Sequence, residues 1–225
     1  MVSPNLIEDF FRRFPEHEVS AGEEVLGPVD TLNHIVYLQS GFVRSYVIYP
    51  DGRELTLNIF KPGSSFPIPT FLSGKPNLYY FDAITKATIR RAPSAEFNNH
   101  ISGKTDILMD LLRRLSLGLE GFVLRTHFLL HSDSRQKVAS AIYLLFRRFG
   151  SPLKAGRYTI DLPQTHQDIA NLSGVTRETA SLEIGHLEKK KIISRARQIT
   201  TILNLPELEK IAQITSPDQP TPFTF

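Results

Sequence analysis

The spacing of apolar residues changes along the chain, and the first pattern is that of short strands. Between about Val19 and Arg91, apolar runs alternate with turn residues such as Ser40-Gly41 and Pro50-Asp51-Gly52. Glycine and proline turns at intervals of roughly ten residues are typical of an antiparallel barrel or jelly roll. We therefore expect a β-roll here, preceded by a short amphipathic helix from about Leu6 to Phe14.

The period becomes helical between about Lys104 and His131. Leucine and phenylalanine recur every seven residues, and two further leucines complete a continuous apolar seam. A seam this long favours a second copy of the chain as partner, with packing on the chain's own β-roll as the alternative. The predicted dimer interface is Leu108, Leu112, Leu115, Leu119, Phe122 and Leu129. A second amphipathic helix is expected from Arg135 to Phe149.

The stretch from Gln164 to Ile193 has the spacing of a helix-turn-helix. Ile169 and Ala170 lie on a first short helix, Gly174 supplies the turn, and Thr176 can cap a second helix. The inner face of that second helix is predicted from residues at helical spacing: Ala180, Ile184 and Leu187. This arrangement places a helix in a DNA major groove.

The outward residues of the second helix suit contacts with base edges. Arg177 can bind guanine O6 and N7, Glu178 can accept from cytosine N4, and Leu182 can touch a thymine methyl group. The predicted base-reading set is Arg177, Glu178, Ser181 and Leu182. The alternative is a small helical core with an exposed charged helix and no nucleic-acid partner.

Basic and hydroxyl residues around this motif favour contacts with phosphates. Three lysines follow the second helix. Arg195 and Arg197 are predicted on a turn that precedes a strand from Ile199 to Leu203. Together these features are typical of a wing whose basic residues contact phosphates. The predicted DNA-backbone set is Thr165, His166, Gln167, Thr176, Lys189, Lys190, Arg195 and Arg197.

The amino-acid composition excludes several kinds of site and several classes of protein. The chain has no cysteine, which excludes disulfides, thiolate sensing and cysteine-ligated metal clusters. A net charge of +3 over 225 residues permits nucleic-acid binding without requiring it. No apolar run is long enough to span a membrane and the first residues lack a signal peptide's apolar core, so we expect a cytoplasmic protein that does not bind membranes.

The expected fold class is α+β: an N-terminal antiparallel β-roll (jelly roll), a long dimerisation helix and a C-terminal winged helix-turn-helix. The predicted boundaries place a sensor-like β-roll at 1–103, dimerisation and linker helices at 104–149, the DNA-binding domain at 150–215 and a flexible tail at 216–225.

Several segments in this order resemble the Crp/Fnr superfamily of bacterial transcription regulators, over nearly the whole chain. They are Tyr37 to Arg44, Asp51 to Leu57, Pro62-Gly63 and Thr176 to Thr179. The resemblance implies a homodimer that binds a pseudo-palindromic operator in double-stranded DNA, with half-site centres roughly ten base pairs apart. RNA polymerase is a further partner if the protein is an activator.

The chain also departs from that family. Cyclic-nucleotide-binding members carry a Gly-Glu pair and an Arg-Ser or Arg-Thr pair, whereas Pro67-Ile68 and Asn77-Leu78 stand there in this chain. We therefore expect no binding of cAMP or cGMP. Leu182 replaces an arginine, which implies a changed operator, and Glu183 replaces an apolar residue, which suggests a rotated or shifted helix.

The identity of any effector is open. An apolar or aromatic ligand would suit a pocket formed by Phe66, Ile68, Phe71, Leu72, Tyr79 and Tyr80, unless these residues only fill the core. Haem bound through His34, His100 or His127 is a weaker alternative, and we expect no cofactor and no metal. A metal-dependent jelly-roll enzyme would need converging histidines, which the sequence lacks, so we expect no enzyme. A ligand-independent interaction module without specific DNA binding is the remaining alternative.

Overall fold

The computed structural model describes residues 5–28 and 33–213. Its helices are α1 (Asn5–Phe11), α2 (Ile68–Ser73), α3 (Ser94–Ile101), α4 (Thr105–His131), α5 (Ser134–Phe149), α6 (His166–Ser173), α7 (Arg177–Lys189) and α8 (Leu205–Ile211). Its strands are β1 (Glu16–Val19), β2 (Glu24–Leu26), β3 (His34–Ser40), β4 (Val43–Ile48), β5 (Glu54–Phe60), β6 (Ser65–Phe66), β7 (Tyr80–Ala83), β8 (Ala87–Pro93), β9 (Gly150–Pro152), β10 (Tyr158–Ile160), β11 (Ile193–Ala196) and β12 (Ile199–Ile202).

Strands β1 to β8 form the expected β-roll from two antiparallel sheets. One sheet has the order β1-β8-β3-β6 and the other has the order β2-β7-β4-β5. The inner faces of both sheets share a core in which Phe66 stacks on Phe81 at 5.2 Å, with Phe60 packed beside them. A second cluster covers the outer face of the first sheet, where Phe11 of α1 stacks on Tyr37. Helix α1 ends earlier than predicted, at Phe11.

A glycine turn and an ion pair show the structural roles of residues in two of the segments that resemble the Crp/Fnr superfamily. Gly41 joins β3 to β4 with a φ of 81°, and a Cβ atom there would lie 2.4 Å from the carbonyl oxygen of Lys86. Only glycine fits this position without a shift of the main chain. On β4, Arg44 donates to Asp82 at 2.8 Å and to Glu54 at 2.7 Å, which ties together three strands of one sheet.

The chain divides into two compact units within α4, the first ending at Phe122 and the second beginning at Val123. The boundaries predicted from the sequence, at 103/104 and 149/150, divide the chain more finely. Helix α5 contacts α6, α7 and α8, because its apolar face, including Val138 and Ile142, is buried among them. The predicted linker helix is therefore part of the second unit.

The second unit is the expected winged helix-turn-helix. Its sheet has the order β11-β12-β10-β9, and β11 and β12 form the hairpin of the wing, with Ala196 paired to Ile199. Among residues 5–28 and 33–213, no helix is both long and apolar enough to cross a membrane. The predicted flexible tail, 216–225, lies outside the described residues.

Candidate nucleic-acid interface

Helix α7 has one buried face and one exposed face. Thr176 caps it by accepting a hydrogen bond from the amide of Thr179 at 3.2 Å. The predicted inner residues Ala180, Ile184 and Leu187 are buried, because they share the side of the helix that packs on α5 and α6. The four residues predicted to contact bases are exposed on the first two turns: Arg177, Glu178, Ser181 and Leu182. The helix therefore leaves these four side chains exposed on its first two turns.

The start of α6 lies beside that exposed face. Thr165 caps α6 in a reciprocal arrangement with Asp168, whose carboxylate accepts from the Thr165 amide at 2.7 Å. His166 Nδ1 lies 3.0 Å from the hydroxyl oxygen of Ser181 on α7, and Gln167 donates to Asn171 at 2.7 Å. Of the predicted DNA-backbone residues, Thr165, His166 and Gln167 are thus brought together at one helix N-terminus, where amides and dipole favour anions.

The wing places the two predicted arginines differently. Arg197 is exposed at the hairpin turn, where it and Gln198 have φ values of 48° and 67°. Arg195 lies on β11 instead of on the turn, which corrects the sequence prediction. It shares a strand face with buried Ile193, so its guanidinium turns inward and donates to the carbonyl of Gln164. Burial lowers the pKa of Arg195.

A shallow groove separates the wing from the start of α6. Its volume is about 310 Å³, and it is lined by Gln164, Thr165, His166, Arg195, Ala196, Arg197 and Gln198. Burial, and then the nearby charge of Arg195, lower the pKa of the His166 imidazole below its usual value. The remaining predicted backbone residues, Thr176, Lys189 and Lys190, are exposed at the two ends of α7.

The contacts of Glu183 account for an acidic residue at a position where the Crp/Fnr superfamily usually has an apolar one. Its carboxylate is mostly buried and accepts from Arg135 Nε of α5 at 3.2 Å and from His186 Nδ1 at 3.1 Å. The inner face of α7 is buried as predicted, so the acidic residue at this position does not alter which side of the helix packs inward. The Glu183 side chain holds α7 against α5 through its ion pair with Arg135. Arg135 could not be predicted as its partner from the sequence, because a pair separated by 48 positions leaves no local signal.

Replacing Glu183 should weaken the second unit slightly. We expect Glu183→Ala to lower the free energy of unfolding by about 1 kcal/mol, because two hydrogen-bonded partners are lost at a partly exposed site. Glu183→Gln keeps one acceptor oxygen and should lose about half as much. Urea titration of the purified protein measures this. Glu188→Ala, at an exposed position on the same helix, should stay within about 0.5 kcal/mol of the parent, and an equal loss in that control would contradict the role of Glu183.

Arg125 is a second residue that the sequence analysis did not identify. Its Nε and Nη2 atoms donate to the carbonyl oxygen of Leu172 at 3.2 and 3.0 Å, near the C-terminus of α6. Burial lowers the pKa of Arg125 to about 10. Leu129, one helical turn further along α4, lies beside Gly174, where an added Cβ would come within 3.2 Å of its side chain. The turn of the helix-turn-helix therefore rests on the last turns of α4.

Helix α4 exposes an apolar row, but not the whole predicted seam. Leu108, Leu112, Leu119 and Phe122 are exposed as expected. Leu115 packs against the aromatic cluster of its own unit, and Leu129 is half-buried beside Gly174. These two side chains point toward their own chain because the predicted seam is turned slightly from the exposed side of the helix.

The residues predicted to line an effector pocket are divided between two packed clusters and the surface. Phe66 belongs to the core inside the roll, whereas Ile68 and Phe71 pack in the cluster outside it. Leu72 and Tyr79 are exposed, and Tyr80 stacks on Tyr46. Within the described part of the chain, therefore, these six side chains do not line one shared space.

At the positions where the family binds a cyclic nucleotide, this chain satisfies its own polar groups. Asn77 is fully buried, and its amide donates to the carbonyls of Gly27 at 2.6 Å and Tyr79 at 2.7 Å. Ile68 is buried among aromatic side chains. No group of three or more His, Asp or Glu residues suited to a metal ion occurs in the ranges 5–28 and 33–213.

Comparison with known proteins agrees with this geometry. Residues 16–103 match the family model of the cyclic nucleotide-binding domain, and residues 136–211 match that of the Crp-like helix-turn-helix domain. The chain is 28% identical to the global nitrogen regulator of Nostoc sp. over 201 residues, which cover 88% of this chain and 86% of that protein. It is 30% identical over 191 residues to the transcriptional activatory protein AadR of Rhodopseudomonas palustris, covering 81% and 75%.

Solved structures share the fold. The structure of FixK2 from Bradyrhizobium japonicum superimposes with a TM-score of 0.77 at 20% identity, covering 90% of this chain and 99% of that one. A mutant of CooA from Carboxydothermus hydrogenoformans gives a TM-score of 0.75 at 23% identity, covering 91% and 90%. The relatives matched by sequence are transcription regulators. This chain therefore belongs to the Crp/Fnr family and is a DNA-binding transcription regulator.

Proposed function

We propose that the protein binds a pseudo-palindromic operator as a homodimer, with one α7 helix of each subunit in a major groove. The observation that carries this proposal is the exposed set Arg177, Glu178, Ser181 and Leu182 on a helix whose opposite face is buried. Two-fold symmetry of the protein demands two-fold symmetry of the operator, so the half-site centres lie roughly ten base pairs apart.

The dimer forms through α4, in a register turned slightly from the one that the sequence suggested. Five exposed apolar residues, with Ser116 and Thr126 completing the row, follow the alternating spacing of three and four that a two-stranded coiled coil requires. This row consists of Met109, Leu112, Ser116, Leu119, Val123, Thr126 and Leu130, and we call it the α4 seam. Leu108 and Phe122 flank it, while Leu115 and Leu129 support their own subunit.

DNA phosphates are held on both sides of the recognition helix. The start of α6 offers Thr165, His166 and Gln167, and the wing offers Arg197 at its tip. Thr176, Lys189 and Lys190 serve the two ends of α7. Arg195 acts through the carbonyl of Gln164, holding the wing against α6, because its guanidinium is directed at the protein.

Arg177 should contribute selectively to operator binding. Arg177→Ala is expected to cost about 1 to 3 kcal/mol on the operator and to relax one base preference, because an arginine can bind guanine O6 and N7 together. Binding to random duplex DNA should change far less. Fluorescence anisotropy on both duplexes measures the two effects. Arg157→Ala, which removes an exposed arginine of the same unit outside the proposed interface, is the matched control, and equal losses on both duplexes would refute base contact by Arg177.

Cyclic AMP should not bind in the β-roll. A cyclic phosphate would face Asn77, which is already hydrogen-bonded to the main chain, and would lose a charge-assisted bond of about 1.5 to 3 kcal/mol. The ribose hydroxyl would face Ile68 in place of a carboxylate. Isothermal titration calorimetry should show no heat of binding with cAMP or cGMP, and a micromolar dissociation constant would contradict the proposal.

The function as a whole is tested by selecting bound duplexes from a random DNA library with the full-length protein at about 150 mM salt, where sequence-independent phosphate binding is weakened. An enriched inverted repeat is the expected result. Enrichment of a single asymmetric site would refute the homodimeric mode, and no enrichment at all would refute specific operator binding.

A further inference from the structure

The contact between His166 and Ser181 links a residue suited to phosphate with a residue suited to a base. His166 Nδ1 and Ser181 Oγ are 3.0 Å apart, although the residues are separated by 15 positions and lie on different helices. His166 is the first residue of α6 and lines the groove beside the wing. Ser181 is exposed on the outward face of α7. One hydrogen bond therefore spans the two helices at the proposed DNA surface.

The chemistry of the imidazole decides what Ser181 can offer a base. A neutral histidine has one N–H donor and one acceptor nitrogen, and a serine hydroxyl has one proton and two lone pairs. If Nδ1 is the acceptor, the Ser181 proton is used within the protein and only lone pairs remain for DNA. If Nδ1 carries the proton, the Ser181 proton is free to be donated to a base.

The surroundings of His166 favour the first arrangement. Burial and the charges of Arg195 and Arg177 lower the pKa of His166, while Glu188 opposes them, and a lowered pKa favours the neutral ring. A DNA phosphate in the groove offers only acceptor oxygens. The single ring proton is then best placed on Nε2, where it can be donated to the phosphate, which leaves Nδ1 to accept from Ser181.

Resting on the proposed function, we propose that His166 is a positioning residue that sets base preference: it donates Nε2–H to a DNA phosphate, accepts the Ser181 proton at Nδ1, and so leaves Ser181 as an acceptor only. Ser181 then selects a base with an exocyclic amine in the major groove, which is adenine N6 or cytosine N4. The His166 imidazole thereby couples the contact with phosphate to the choice of base.

Two substitutions of His166 test the roles of its Nδ1 and Nε2 atoms separately. His166→Asn places an amide where Nδ1 lies, so its oxygen can still accept from Ser181 while the phosphate contact is lost. His166→Gln places its amide near Nε2, so the phosphate donor remains while the contact with Ser181 is lost. Ser181→Ala removes the base contact itself. Thermal unfolding of all three variants identifies any that fail to fold.

The experiment measures affinity for the selected operator and for a duplex in which one base has lost only its amine. Purine replaces adenine, or 2-pyrimidinone replaces cytosine, at each major-groove position in turn. For the parent protein, removal of the amine at one position per half-site should weaken binding roughly fivefold, the effect of one neutral hydrogen bond. His166→Asn should keep that sensitivity with a uniformly weaker affinity. His166→Gln and Ser181→Ala should both lose it.

Equal amine sensitivity in the parent and in His166→Gln would overturn the inference while leaving the operator-binding proposal intact. The inference is also overturned if, at every position, removal of the amine changes the affinity of the parent and that of Ser181→Ala by the same factor. Failure to select any operator would overturn the proposed function and the inference together. A merely structural role for His166 would weaken binding to all duplexes by one common factor in both His166 variants, which also overturns it.

Discussion

A Leu119→Glu variant should dissociate into monomers at micromolar concentration, with the dimer dissociation constant rising at least about 100-fold. The substitution brings two carboxylates together across the two-fold axis of the α4 seam, in a place where they would lose water without gaining a partner. Leu119 is 62% exposed in the single chain, so the fold of each subunit should be unaffected. Sedimentation equilibrium measures the dissociation constant directly.

Leu117→Glu is the matched control for that experiment. Leu117 is 58% exposed on the same helix, but two residues of an α-helix separate it from Leu119 by about 200°, on the opposite side. This variant should stay dimeric and keep operator affinity. The Leu119→Glu monomer should bind the operator about 10² to 10⁴ times more weakly, because the two recognition helices are no longer linked. Dissociation of the control, with the Leu119 variant still dimeric, would show that a different face of α4 forms the interface.

Gly41→Ala should destabilise the β-roll by more than about 3 kcal/mol. The new methyl group would meet the carbonyl oxygen of Lys86 at 2.4 Å and the Cα of Ala87 at 2.7 Å, and both are main-chain atoms that cannot turn aside. The left-handed backbone at a φ of 81° adds roughly 1 to 2 kcal/mol. Urea unfolding followed by circular dichroism gives the free energy of unfolding.

Gly52→Ala isolates the contribution of the clash. Gly52 has nearly the same φ, 80°, but an added Cβ there meets nothing within 4 Å. Its cost should be only the backbone penalty of about 1 to 2 kcal/mol. Similar losses in the two variants would mean that β3, β4 and the turn before β8 can move apart, and that the close approach at Gly41 is not required.

Local periodicity was sufficient to predict helices α4 and α5, the helix-turn-helix and the inner face of the recognition helix, but not the short helices α2, α3 and α8. Ala180, Ile184 and Leu187 are buried because a helix that packs on one side must place its apolar residues three or four apart, and that spacing is visible in the sequence. The turn at Gly174, with a φ of 64°, follows from the same local reasoning. The β-roll was predictable from its turn residues.

Contacts between elements could not be predicted in this way. Leu115 and Leu108 look equivalent in a seven-residue repeat, but the aromatic cluster of the β-roll covers only the side of α4 that carries Leu115. Arg195 was assigned to a turn, whereas β11 and β12 stay paired as far as Ala196 and Ile199, so that only Arg197 and Gln198 form the turn. The partner of Glu183 is 48 positions away, so an acidic residue at an apolar position looked like a shift of the helix.

The hairpin turn of the wing holds two residues in strained backbone conformations. Arg197 and Gln198 both hold left-handed backbone conformations, which Asn-Gly would adopt at little cost and which other residues adopt at about 1 to 2 kcal/mol each. A sequence chosen for stability alone would place glycine there. Variants that relax this turn with glycine are therefore expected to gain stability but to lose the Arg197 side chain that is proposed to contact phosphate, and with it DNA affinity.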